Sequence, residues 1–213
     1  LPEKVERSLH AMRAAEAEHG VGTPIMIFTD LRIVDRSLRP VCESYWKFQR
    51  VDPRRIALRQ LLTQNVPSGC GMMINRTLIE LARPIPADAV MHDHWITLVA
   101  AAFGKLVYLP IAPILYRQHA DNVFGATGGS PMQLARRTRL DLGKIRQRFY
   151  RNVTQAAAFL DRFGPSLDPS SAELVRAFAT LPRQSPVRRR RTLLSYGFFK
   201  HGLARNLGSF LIV

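Results

Sequence analysis

A glycine- and proline-rich break, FGATGGSP over Phe124–Pro131, separates two apolar patterns that call for different architectures. Upstream, short continuous apolar runs alternate with segments of helical spacing. Downstream, Leu142, Ile145, Phe149, Val153, Ala156, Leu160 and Phe163 recur at three and four residues, which predicts a long amphipathic helix with Lys144, Arg146, Arg148 and Arg151 on its other positions. The upstream runs PIMIFTD (24–30), KLVYLP and PILYRQH read as strands, the first ending abruptly in Thr29-Asp30 as a buried strand does where its carboxyl end opens into a site. Between them lie helical stretches: Glu3–His19 with Val5, Leu9 and Met12 on one face, Ile56–Leu62, NRTLIELA with Asn75 as its cap and Thr77/Glu80 spaced as a capping box, and Trp95–Phe103 with Gly104 suited to end it. Pro84 and Pro86 forbid extension of the third. Strands interleaved with helices predict an α/β domain over residues 1–126, and residues 127–213 read as a mainly helical region. A second helical piece is expected at Ala172–Leu181.

Charge follows the same division. Residues 1–130 carry 15 Lys/Arg against 12 Asp/Glu, an ordinary water-facing balance, whereas residues 131–213 carry 16 against 4. A basic appendage attracts anionic lipid headgroups or nucleic acid, and its sign alone does not choose between them. Hydrophobic residues make up 46% of the chain, ample for a core. The longest apolar runs, such as ITLVAAAF, fall well short of the roughly 20 residues a spanning helix needs. No signal-peptide pattern opens the sequence, and Cys42 and Cys70 lack the spacing of a zinc site or disulfide framework, so reduced thiols in the cytoplasm are expected.

Three stretches carry candidate chemistry. In VMHDHW, Asp93 is a helix-start acid, a general base beside an imidazole, or part of a metal site with His92 and His94, although residues two apart on a helix point away from each other. In YRQH, Arg117 and His119 follow an apolar strand, and a guanidinium there suits either a surface acid or phosphate oxygens. SGCG, Ser68–Gly71, is a plain turn or a loop that lets a ligand approach the backbone.

Taken in order, FTDLRIVD, ESYWKFQ, QNVPSGCGMMINR, PIPADAVMHDHWITLVAAAFGKLVYLPIAPILYRQHADNVFGA and the closing YGFFKHGLARNLG resemble the later half of bacterial family 2 glycosyltransferases, the rhamnosyltransferase-like members above all. The similarity is dense over residues 1–126 and loose beyond. It implies the acceptor-side half of a GT-A, Rossmann-like domain, followed by the basic helical region. By that resemblance Asp93 of the His92-Asp93 pair is the catalytic base, and Ser68, Gly69 and Cys70 border the donor sugar. His119 joins the metal or diphosphate environment with Arg117 beside it, and Thr29, Asp30 and Trp95 count among the substrate-binding residues.

The implied reaction is an inverting transfer of a sugar, rhamnose among the candidates, from a dTDP- or UDP-sugar to a saccharide or lipid-linked acceptor in surface polysaccharide synthesis. A divalent metal, Mg or Mn, serves the complete enzyme. In relatives, LPEKVE directly follows an Asp-rich segment with the Asp-x-Asp motif, so the resemblance implies a fragment lacking the donor-binding half, inactive by itself and holding no metal tightly. It also implies a cytoplasmic protein, peripheral at the inner face of the membrane if the basic tail meets anionic lipid. A non-catalytic remnant or scaffold is the alternative, and behind it a basic nucleic-acid-binding protein, although no specific nucleic acid is expected, since the arginines lack a stacking platform beyond Phe198-Phe199.

Overall fold

The computed structural model describes residues 2–117 and 142–212. Helix α1, Glu3–His19, leads through a turn at Gly20, whose φ of 91° favours glycine, into strand β1, Ile25–Thr29. All five residues of β1 are buried, as the unbroken apolar run predicts for a central strand. It lies between β4, Met72–Ile74, antiparallel with Met26 opposite Ile74, and β5, Lys105–Leu109, parallel with Ile27 opposite Val107. A second small sheet centres on β2, Arg32–Val34, which pairs antiparallel with β3, Pro40–Cys42, and parallel with β6, Leu115–Arg117. The two sheets are therefore both mixed.

Short helices fill the connections: α2, Tyr45–Gln49, α3, Leu58–Leu61, and α4, Arg76–Ala82. Helix α3 is a single turn where Ile56–Leu62 was expected, because the chain is still extended at Ala57. Asn75 caps α4 by accepting from the Leu78 amide at 3.0 Å. The expected capping box does not form, because the Thr77 hydroxyl turns away to donate to the Val21 carbonyl and Glu80 lies 3.9 Å from Arg76. Helix α5, His92–Phe103, begins three residues before the apolar pattern does, with the polar His-Asp-His turn forming its start.

Gly104 ends α5 for a packing reason. A Cβ there would stand 1.8 Å from the Pro24 carbonyl oxygen, the same oxygen that accepts from the Lys105 amide, so only a bare backbone lets the helix turn into β5.

The C-terminal region consists of α6, Leu142–Phe163, α7, Pro169–Ala179, α8, Pro186–Ser195, and α9, Leu203–Ile212. The predicted stripe of α6 is buried at Phe149, Val153, Ala156 and Phe163, with Phe159 more deeply placed than Leu160. The Gly/Pro break lies outside the described residues, but its two sides share one core. Trp95 of α5 meets Phe159 edge-on at 5.5 Å and Phe163 at 5.9 Å, and Arg162 reaches back to the carbonyls of Leu81, Ala82, Arg83 and Pro84 at the end of α4. A guanidinium among the last carbonyls of a helix satisfies acceptors that have no intrahelical donor. The chain is thus a mixed α/β structure in which helices toward the C-terminus pack on the β4-β1-β5 sheet through α5.

Candidate functional site at the start of helix α5

The start of α5 meets a Gly-containing turn. Ser68 is extended, and Gly69–Gly71 form a single 3₁₀ turn closed by the Gly71 amide donating to the Ser68 carbonyl at 2.7 Å. This turn brings the Gly69 amide to Asp93, donating to Oδ2 at 3.0 Å, while Oδ1 accepts from the His94 amide at 2.7 Å. Each carboxylate oxygen is therefore held by one backbone N–H and retains further lone-pair capacity. Asp93 is half-buried and His92 exposed. A Cβ on Gly69 would lie 3.0 Å from His92 Nε2 and 3.5 Å from Asp93 Oδ2, so imidazole, carboxylate and bare backbone meet at one point.

Around them stand groups that spacing did not single out. Tyr45 of α2 and Tyr116 of β6 cross edge-to-face with centroids 6.0 Å apart. Burial pushes the Tyr45 phenol above its ordinary value, and the neighbouring Tyr116, Cys70 and Asp93 push it the same way against Arg205. Lys4 of α1 donates to the Cys70 carbonyl at 2.9 Å, and burial raises the Cys70 thiol, so it is a neutral, exposed SH at neutral pH. The available signal was ESYWKFQ, whose Tyr45 comes near the Gly-containing turn in space although it is 23 residues before Ser68 in sequence.

Other expected members serve differently. Trp95 is fully buried and its indole N–H donates to the Ala82 carbonyl at 2.9 Å, which corrects its placement as a substrate-binding residue: it is a core anchor. Asp30 is also a structural acid, its Oδ1 accepting from the amides of Leu31 and Trp46 and its Oδ2 from the Ser44 hydroxyl, which joins β1 to α2. Thr29 is buried, with its hydroxyl directed at the Gly71 carbonyl at 3.4 Å, so it braces the turn from behind. Asp30 and Thr29 share one cause, since the end of β1 is buried against packed chain. His94 is buried with Nε2 2.7 Å from the Leu61 carbonyl, and burial holds its pKa below the usual value, keeping a neutral ring that donates to that carbonyl. Arg117 is exposed, and strand alternation turns it to the face opposite Tyr116. His119 lies outside the described residues.

Among the described residues, no three His, Cys, Asp or Glu side chains converge on a point that would hold a metal ion, and His92 and His94 diverge. A groove between α1 and residues 109–111 is lined by Glu6, Leu9, Arg13 and Ile111 and contains none of these groups.

No family model, curated protein or solved structure matches this chain.

Proposed function

We propose that the chain is the acceptor-side part of an inverting glycosyltransferase of the family 2, GT-A type, with Asp93 as the base that withdraws the proton from an acceptor saccharide hydroxyl. One observation carries this reading: a half-buried carboxylate is fixed by one backbone amide at each oxygen, beside an exposed imidazole and an aromatic pair. A carboxylate used as a base must be held in position, and amide donors do this without neutralising it. Tyr45 and Tyr116 offer the apolar faces and hydroxyls that suit the C–H and O–H surfaces of a sugar ring. His92 orients the hydroxyl, Gly69 leaves room for it, and Ser68 and Cys70 border the same space. The nucleoside diphosphate sugar is supplied through a donor-binding half, so residues 1–213 alone turn over no nucleotide sugar.

Saturation-transfer NMR with neutral oligosaccharides on purified residues 1–213 tests the reading. Saturable binding that survives Asp93→Asn and is lost in Tyr45→Ala, with circular dichroism unchanged, supports an acceptor site. No binding to any saccharide would leave a scaffold or remnant as the better account. In a protein joining this chain to a donor-binding half, Asp93→Asn lowers transfer by about 10²–10⁴-fold, the usual worth of general base catalysis, with little change in acceptor KM.

A further inference from the structure

Residues 174–213 contain eight Lys/Arg and no Asp or Glu, so α8 and α9 form a surface of one sign. The helical repeat sorts the cations of α8 into two sets. Arg189 turns inward, donating to the carbonyls of Pro182 and Gln184 and to the Tyr150 hydroxyl. Val187, Arg190, Arg191 and Leu194, spaced at three, four and seven residues, share the opposite face, with Arg188 at its flank; Val187 is 69% and Leu194 57% exposed. Arg190 also donates to the Phe210 carbonyl at 3.3 Å, which places this face beside α9. On α9, Leu203 and Leu207, one turn apart, are 84% and 65% exposed, the first being the most exposed large apolar residue among those described.

We propose that the α8–α9 face is a docking surface for an anionic lipid bilayer, with the leucines and valine entering the headgroup boundary while Arg188, Arg190 and Arg191 pair with lipid phosphates. This goes beyond the saccharide site and does not depend on it. Two adjacent helices that carry apolar side chains in water, interleaved with guanidiniums and free of acids, have the composition of an interfacial surface. A nucleic-acid backbone would complement the arginines equally but offers nothing to the four exposed aliphatic side chains. No helix among the described residues is long and apolar enough to cross a membrane, so the contact is with one leaflet.

The test is sedimentation of the full chain with vesicles of phosphatidylcholine alone and of about three parts phosphatidylcholine to one part phosphatidylglycerol. Binding is expected to the mixed vesicles, about tenfold or more weaker for the neutral ones, and weakened to a similar extent by Leu203→Ser/Leu207→Ser and by Arg188→Gln/Arg191→Gln with circular dichroism unchanged. Tryptophan emission of Leu207→Trp should shift to the blue only with the mixed vesicles. Equal sedimentation with both compositions, an unshifted emission, or full retention of binding by the leucine pair variant overturns the proposal. So does an oligonucleotide that binds more tightly than the vesicles and is held as well by the leucine variant as by the parent.

Discussion

At the scale of the residue, the chain places ionisable groups where their protonation is tied to folding. Burial depresses His94 below its ordinary value of 6.5, and the Leu61 carbonyl and Asp93 only partly oppose that. As pH falls through 6.5 the unfolded chain takes up the proton first, so His94 removes stability below that pH and is neutral in effect above it. His201 is depressed for the same leading reason and adds in the same direction. Thermal melts between about pH 7.5 and about pH 5.5 should therefore show a declining Tm whose slope is reduced in His94→Gln, a variant that keeps a donor toward Leu61; an unchanged slope would exclude this origin. At Gly69 the expected effect is on geometry: Gly69→Ala puts a methyl group 3.0 Å from His92 Nε2, so the exposed ring gives way. The His92 ring signals should shift in the NMR spectrum while the unfolding free energy changes by less than about 1 kcal/mol.

At the scale of the element, two polar junctions hold what propensity alone would not. The Asn75 side chain accepts from the amides of Leu78 and Ile25 and donates to the Thr23 carbonyl and to Glu16, so one amide joins α1, β1 and α4. Asn75→Ala removes the cap and orphans buried backbone groups, at about 2–3 kcal/mol in denaturant unfolding. Gly104→Ala is expected to cost about 3 kcal/mol or more, because the neighbour it meets is the Pro24 backbone rather than a side chain that moves. Much at this level was legible in the linear order. The strands at 24–30, KLVYLP and PILYRQH, the Asn75 cap and the long helix after residue 142 all appear where periodicity and capping chemistry put them. The misses include β2, β3 and α2, segments of only three to five residues, too short for a periodic signal; Glu80 is 66% exposed and free to sample solvent, so the box had little to gain, and the polar first turn of α5 has no apolar periodicity to reveal it.

At the scale of the whole molecule, α5 and α6 are joined by an aromatic core. Trp95→Ala removes contacts with Phe159 and Phe163 from both parts at once and should cost about 3–5 kcal/mol, with the α/β and helical parts unfolding at one midpoint. Two separated transitions in urea would show the parts to be independent. The basic tail exacts a different cost: burial, with Arg148 and Arg205 nearby, lowers the Lys200 amine to about 8. Lys200→Met should thus be more stable than the parent near neutral pH, with the advantage shrinking as pH rises from about 8 toward 10.5, where the parent's amine is neutral when folded but still charged when unfolded.

By itself, the order of residues determined the alternation of strand and helix, the basic sign of the C-terminal region, and the presence of a carboxylate and glycine-bearing turn, because period, capping and charge are local properties. Only the tertiary structure decided which polar groups are occupied by the fold and which remain available. Asp30, Thr29 and Trp95 are as suggestive in sequence as Asp93, yet they are consumed by amides, hydroxyls and carbonyls brought from distant segments. Asp93 is half-buried and held by two backbone amides, one on each oxygen, and Tyr45 and Tyr116, 71 residues apart in the chain, reach one another only once β2 and β6 pair.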